Sequence, residues 1–338
     1  MKEPSTLVAV KAAADPVVPR KMRAIAVASA GGPEALELVE VDTPVRVGHE
    51  VLVRVLAAGV NPVDAKSRAG KGVSAGAAWP LVPGYDFSGI VVQSPYESFP
   101  LQPGDEVFGM SAFPRTSGSY AEYVCVPALS VARKPSVLSH AEAAAVPLAA
   151  LTAWGAVVDL AKAHEGQKML IHAAAGGVGH LAVQFAAYFG AEVTATASPA
   201  NADWVLALGA TRVIDYTSTK FEDEVSDLDV VIDGVGNLTA HTGSRSLTVL
   251  RAGGLLVSLP SAGWPTMMEE AAAAGVRATH YFVQPDAKTL SVIARLITSG
   301  DVRVSAETVL PLEDAEHAHQ ILESGHTRGK IVLQVSDY

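Results

Sequence analysis

The sequence predicts an α/β protein in two parts, a compact barrel-like β region and a doubly wound parallel sheet. Three observations predict it. Short β-rich runs broken by Gly and Pro fill the first third of the chain. From residue 168 onward, strands and helices alternate regularly. Where the first of those strands meets its helix stands a glycine-rich turn, His172-Ala173-Ala174-Ala175-Gly176-Gly177-Val178-Gly179. The 338 residues are 49% hydrophobic and 18% charged, which suits two globular domains with their own cores.

Residues 1–21 show no sustained periodicity and close on Pro16 and Pro19, so they read as a flexible extension. From Met22 the runs 23–29, 36–41 and 50–58 alternate or are β-branched, with Gly31-Gly32-Pro33 and Val47-Gly48 between them. Runs 89–93, 106–110 and 119–126 continue the series. After Pro135 the character changes. Ser139 is placed to cap a helix, and 148–161 reads as another. Strands follow at 168–173, 192–197, 212–215, 228–233, 254–258 and 277–282, with helices over 177–189, 199–208 and 238–250. Buried strands separated by helices require a parallel sheet with crossovers on both faces, and six of them match a dinucleotide-binding fold. Two helical patterns and a strand at 330–335 end the chain. They break the alternation and return to the first domain, which divides the chain into 22–147 with 285–338, and 148–284.

Charge and composition exclude several classes. The net charge is −10 and no Lys/Arg run occurs, so neither nucleic acid nor an anionic membrane surface is an expected partner. The longest apolar stretch, 143–158, is broken by Pro147, Thr152 and Gly155, too short for a membrane span. The longest apolar run near the N-terminus is only 7–10, between Lys2 and Glu3 on one side and Lys11 on the other, so no signal peptide is read and a cytoplasmic protein is expected. Cys125 is the single cysteine and reads as a core residue; a disulfide framework and any zinc site needing two thiolates are excluded.

The glycine turn carries the first functional reading. Gly176 lets backbone approach a pyrophosphate, Gly179 lets helix and sheet pack closely, and the helix start offers N–H groups and a positive dipole end. Ala174 replaces the first glycine of the usual fingerprint. The residue that reads the adenine ribose should stand at the end of the second strand, where the sequence is Ser198-Pro199-Ala200-Asn201 with no carboxylate. Ser198, Asn201 and Tyr216 can donate to a 2′-phosphate, so NADPH is expected over NADH; Ser198 capping a helix that starts at Pro199 is the structural alternative.

Together these features resemble the medium-chain dehydrogenase/reductase superfamily, in its zinc-free quinone oxidoreductase (zeta-crystallin-like) branch. The resemblance spans residues 22–335. Beyond the glycine turn it rests on Ala58-Gly59-Val60-Asn61-Pro62-Val63-Asp64, Pro83-Gly84-Tyr85-Asp86-Phe87-Ser88-Gly89, Pro103-Gly104-Asp105-Glu106-Val107-Phe108-Gly109 and Gly118-Ser119-Tyr120-Ala121-Glu122-Tyr123. Leu151-Thr152-Ala153-Trp154, Val213-Ile214-Asp215-Tyr216 and Arg328-Gly329-Lys330-Ile331-Val332 complete it. It implies a GroES-like β-barrel-type domain beside a Rossmann domain, NADP(H) as cofactor, a small-molecule substrate and a homodimer.

The departures are informative. The family's first catalytic zinc ligand falls at Asn61 and its second at Tyr85, and no four-cysteine lobe is present, so no metal is expected and simple alcohol oxidation is disfavoured. Hydride transfer to an already electrophilic carbon remains, as in an enone, enal or quinone. Such transfer leaves an oxyanion for donors to stabilise. The resemblance places Asn61, Thr152, Phe282 and Val283 near the nicotinamide and Lys330 at the cofactor. Tyr85 is the candidate proton donor, with Asn61 beside it as the second candidate catalytic residue. Asp64 and Asp86 read as residues fixing local turns and His172 as packed, while Trp79, Phe113 and Tyr120 can wall a pocket. A reductase in a biosynthetic pathway and a non-catalytic NADPH-binding protein, crystallin-like or redox-sensing, are the competing readings.

Overall fold

The structure is a computed structural model and describes residues 18–72, 78–112, 118–237, 240–260 and 264–336. Strands β1 (Lys21–Ala26) and β2 (Glu37–Asp42) form an antiparallel pair. Next come β3 (Glu50–Val60), helix α1 (Pro62–Arg68), β4 (Asp86–Gln93), β5 (Glu106–Met110), β6 (Tyr123–Pro127) and β7 (Val131–Arg133). Every residue of β3 but Arg54 is buried, as a central strand requires, and it is flanked by β4, β6 and β15 (Ile331–Gln334). With β14 (Thr308–Pro311) these make a seven-stranded sheet in the order β14-β15-β3-β4-β5-β7, β6 lying on β3. The end of the chain thus returns to the first sheet.

Helices α2 (His140–Ala144) and α3 (Pro147–Trp154) lead to the second sheet. Ser139 caps α2 as expected, and its box with Glu142 satisfies two N–H groups at once. The second sheet contains β8 (Lys168–Ile171), β9 (Glu192–Ala197), β10 (Arg212–Asp215), β11 (Leu228–Asp233), β12 (Leu250–Ser258) and β13 (Arg277–His280). Its order is β10-β9-β8-β11-β12-β13 and every pairing is parallel, the doubly wound arrangement. Helices α4 (Gly179–Tyr188), α5 (Ala202–Ala207), α6 (Thr242–Leu247) and α7 (Met267–Ala273) cover it; α8 (Ala287–Ser299) precedes the return and α9 (Ala315–Glu323) joins β14 to β15. One core cluster spans both parts: Phe108 and Met110 of the first sheet share it with Leu151 of α3, Phe185 of α4 and Leu290 of α8. Burying each such side chain stabilises the joint by roughly 1.5–3 kcal/mol.

Several expected elements shift. The helix expected at 148–161 starts at Pro147 and continues as a π-helix over Gly155–Leu160. Leu238 lies outside the described residues, and the helix expected over 238–250 is confined to α6 because the chain enters β12 at Leu250. The strand expected over 119–126 begins only at Tyr123; Ala121 makes an isolated bridge to Ala24 instead. Short elements α1, β7 and β14 carried too few periodic positions to be read.

Candidate active site

Strand order reverses between β8 and β11, so a crevice opens at their carboxyl ends. The glycine turn lies there. The Ala174 N–H donates to the Thr196 carbonyl at 3.1 Å and the Gly176 N–H to the Ala173 carbonyl at 2.9 Å, folding the chain sharply into α4. A Cβ on Gly179 would stand 2.1 Å from the Ala173 carbonyl oxygen, so only glycine lets the helix start this close to the turn. A Cβ on Gly176 would meet only that same carbonyl, at 3.2 Å, leaving an open concavity before the positive end of α4. Gly177 and Val178 complete the turn. An uncluttered cradle at a ten-residue helix is what a pyrophosphate requires, and the residues present fit a dinucleotide.

Two buried histidines brace the cradle. His172 places Nδ1 3.1 Å from the Thr196 hydroxyl and Nε2 3.0 Å from that of Ser246. The Ser246 proton goes to the Thr242 carbonyl at 2.7 Å, so Nε2 is the donor and Nδ1 accepts from Thr196. Burial pushes this histidine down to about 3 and holds it neutral. His180, pushed down to about 4 by burial, sits 3.0 Å from the Gly176 carbonyl and stacks on Trp204. His172 is thus packed, as its sequence setting suggests.

Beyond β9, Ser198 occupies the cap position before Pro199, yet its side chain caps no N–H. It accepts from the Asn201 amide at 3.2 Å instead, and Tyr216 stands exposed at the end of β10. Asp215, the carboxylate beside Tyr216, is occupied by Thr217 and Ser218.

The other wall comes from the first sheet. Asn61 caps α1: the Asp64 carboxylate accepts the Asn61 N–H at 2.7 Å. The Asn61 side chain donates to Asp86 at 2.9 Å and accepts from the Lys330 ammonium. Lys330 also donates to the Val60 carbonyl at 2.8 Å and stands 3.7 Å from Asp86. Its stem lies against Gly177, and the neighbouring Gly329 N–H donates to the Ala175 carbonyl at 2.9 Å, tying the cradle to the first sheet. Asp86 reads as a local-turn residue in sequence; the structure shows a long-range tether, because its second oxygen accepts the Leu148 N–H of α3 at 2.7 Å. Burial pushes Asp64 up to about 7 and Asp86 up to about 6, the latter with Lys330 opposing.

Thr152 sits on α3 with its hydroxyl donating to the Leu148 carbonyl at 2.6 Å, which leaves its oxygen as an acceptor. Phe282 is exposed just past β13, and Val283 packs against the joint core. The neighbouring Tyr281 escaped sequence reading. A Cβ on Gly155 would fall 1.9 Å from its ring, so this glycine is the signal that a ring lies across α3. Tyr85 is 3% exposed, within the joint core, with its hydroxyl 3.5 Å from Ser67 of α1. Tyr120 is fully buried, Trp79 lies at the surface and Phe113 lies outside the described residues. Cys125 is buried beside Leu52 and Val92. Among the described residues no cluster of His, Cys, Asp and Glu could hold a metal, and no helix is long and apolar enough to cross a membrane.

A GroES-like sheet joined to a dinucleotide cradle defines a dehydrogenase/reductase architecture, and comparison with known proteins agrees. Residues 48–136 match the alcohol dehydrogenase GroES-like domain and residues 208–333 the zinc-binding dehydrogenase family. The chain is 35% identical over 326 residues to the 2-methylene-furan-3-one reductase of Solanum lycopersicum, covering 94% of this chain and 80% of that protein. It is 34% identical over 339 residues to the chloroplastic NADPH-dependent alkenal/one oxidoreductase of Arabidopsis thaliana, covering 97% and 83%. The solved quinone oxidoreductase from Coxiella burnetii aligns with a TM-score of 0.88 at 36% identity, covering 94% of this chain and all of that one. The chain belongs to the medium-chain dehydrogenase/reductase family.

Proposed function

We propose that this protein is an NADPH-dependent, zinc-independent oxidoreductase that delivers hydride to an α,β-unsaturated carbonyl or a quinone. One observation carries the reading. Where zinc relatives hold a metal, this chain has Asn61 bound to Asp86 and Lys330, a self-satisfied amide–carboxylate–ammonium cluster beside an open nucleotide cradle. The relatives named for alkenal/one and furanone reduction support the substrate class.

The bound nicotinamide supplies the hydride. Residues 174–179 would hold the pyrophosphate, and Ser198, Asn201 and Tyr216 the 2′-phosphate. Asn61, Thr152, Phe282 and Val283 would border the nicotinamide, with Lys330 fixing Asn61 from behind. Hydride arriving at the β-carbon moves charge onto the carbonyl oxygen, and a proton completes the saturated product; Tyr85 is the sequence's candidate for that proton. A homodimer belongs to the proposal, since β13 ends the parallel sheet with no strand beyond it among the described residues. So does a cytoplasmic setting, which a single buried cysteine suits.

The test is NADPH oxidation across enals, enones and quinones, with NADH alongside and elemental analysis of the protein. Turnover of enones or quinones without stoichiometric zinc is expected. Tight NADPH binding with no oxidation by any of them would favour the non-catalytic reading. About one zinc per chain, lost together with activity, would overturn zinc independence.

A further inference from the structure

Helix α9 contributes no residue to the cleft, yet a buried chain of hydrogen bonds runs from it to the carboxylate that caps Asn61. Arg68 Nη1 lies 3.0 Å from His319 Nδ1. A guanidinium only donates, so Nδ1 accepts and the ring proton sits on Nε2. Nε2 is 3.1 Å from the Tyr120 hydroxyl, which accepts that proton's hydrogen bond and turns its own proton toward Asp64 Oδ2, 3.3 Å away. The same oxygen accepts the Asn61 N–H. Arg68, His319, Tyr120 and Asp64 are all at most 3% exposed, and every donor in the chain points the same way. At the outer end Arg68 pairs with Glu323 of α9 at 2.6 Å and donates to the Gly31 carbonyl at 3.1 Å.

We infer that Arg68, His319 and Tyr120 are positioning residues that keep Asp64 ionised and so hold Asn61 against Asp86 and Lys330 at the reactive end of the cleft. The inference rests on reading that cleft as the NADPH site. The chain cannot carry protons inward from Glu323, because Arg68 does not give one up. Its effect is polarisation: each donor lends the next a stronger hydrogen bond, and the sum falls on one carboxylate.

Asp64 is poised for such control. Burial and the neighbouring Asp86 raise its affinity for a proton, while the Asn61 N–H, Lys330 and Tyr120 lower it, leaving it near neutrality. Its other oxygen, Oδ1, has no hydrogen-bond partner among the described residues, so each donor to Oδ2 counts. Asn61 and Tyr120 face it by hydrogen bond, Asp86 and Lys330 by charge; Arg68 and His319 stand behind Tyr120, and Glu323 behind Arg68. His319 stays neutral across the working range, pushed down to about 3 by burial and Arg68. Protonating Asp64 would take negative charge from around Lys330, whose stem packs on the cradle at Gly177, so cofactor affinity should feel it too.

Tyr120→Phe keeps the ring and removes the donor. In the whole chain, the acid-side step in NADPH affinity, in whichever direction it runs, followed by cofactor fluorescence across pH, should move up by about one pH unit, a tenfold change in proton affinity. The acid limb of kcat/KM on an enone should move with it. His319→Leu should shift both limbs the same way, whereas His319→Gln, whose amide can still donate to Tyr120, should restore them. If no substrate is turned over, the binding titration still decides the inference while the activity reading fails by itself. Variants that melt earlier yet leave the binding limb in place would overturn it, reducing the chain to a structural brace. Should Tyr120→Phe fail to fold, the leucine and glutamine variants of His319 carry the same test.

Discussion

The two halves of the cleft use buried polarity in opposite ways. Around the glycine cradle, the buried rings His172 and His180 are neutral and each is fixed by hydroxyl or carbonyl partners. Across from it, Asp64, Asp86 and Lys330 are fully buried ionisable groups gathered within one cluster. The cradle recognises its ligand through backbone and an absence of side chains, so neutral braces suffice. The facing wall must hold a side-chain amide at a fixed place, and it does so with charge. Damage to the two halves should therefore look different: loss of stability with function on the charged side, loss of affinity first where the cradle faces its ligand.

The largest expected effect is on the charged side. Lys330→Met keeps the apolar stem along Gly177 but leaves Asp86 and Asn61 without their cation. Removing one member of a buried pair typically costs about 3–5 kcal/mol, so the melting temperature and turnover should fall together. Adding Asp86→Asn should recover much of the stability but not the turnover. A Lys330→Met protein as stable as the parent would mean that the cluster is not held by charge.

The cradle should break differently. Gly176→Val meets only the Ala173 carbonyl, at 3.2 Å, so a shift of a few tenths of an ångström in the turn should let the fold survive with a small loss in melting temperature, while NADPH affinity drops at least tenfold, about 1.4 kcal/mol. Gly179→Val, with its Cβ 2.1 Å from a carbonyl, should instead lose the fold of the turn itself. Equal NADPH affinity in a folded Gly176→Val protein would mean that the turn is structural only.

These contrasts also mark what sequence could reveal. The cradle was legible because its determinants are contiguous: strand, turn and helix within about twenty residues, at periods that sequence displays. The β-rich first part was legible in outline from its short runs broken by Gly and Pro. The charged wall was legible only in part: the resemblance named Asn61 and Lys330 for the site, but not the cluster they form with Asp86. Asn61, Asp86 and Lys330 sit in separate strand and loop segments, and nothing local distinguishes Asp86 from a turn aspartate before folding joins it to Leu148 of α3. The three-residue interval from Asn61 to Asp64 was the one available sign, since it matches the spacing of a capping box. His319 lies on an amphipathic helix, where a polar residue ordinarily means a solvated face, and Arg68 ends a helix too short to be read, so only burial reveals their direction.

A smaller effect should test cofactor choice. Ser198→Asp replaces one acceptor for Asn201 with another, so the local fold should hold. A carboxylate there repels a 2′-phosphate and accepts from a free 2′-hydroxyl, so the preference for NADPH over NADH should reverse by several-fold in side-by-side titrations. Equal affinities for the two cofactors in the parent protein would remove the basis for this proposal.

The smallest expected effect concerns Tyr85. Its position in sequence, where zinc relatives carry a ligand, makes its phenol the natural candidate to donate to the developing oxyanion. Losing such a donor typically costs about 10²–10³ in turnover. Packing argues for less. The ring lies in the joint core with Phe108 and Met110, and its hydroxyl faces Ser67 on α1 at 3.5 Å, the outer limit of a hydrogen bond. To serve the substrate, the hydroxyl must leave that contact while the ring stays packed, and only rotation of its O–H is free. Tyr85→Phe should therefore leave folding and NADPH affinity unchanged and enone turnover within a few-fold of the parent. Ser67→Ala removes one competing partner of the phenol and should raise turnover if the phenol is the donor. A fall of about 10²–10³ in Tyr85→Phe would show the hydroxyl reaching the reacting oxygen after all, and would make Tyr85 rather than solvent the proton source.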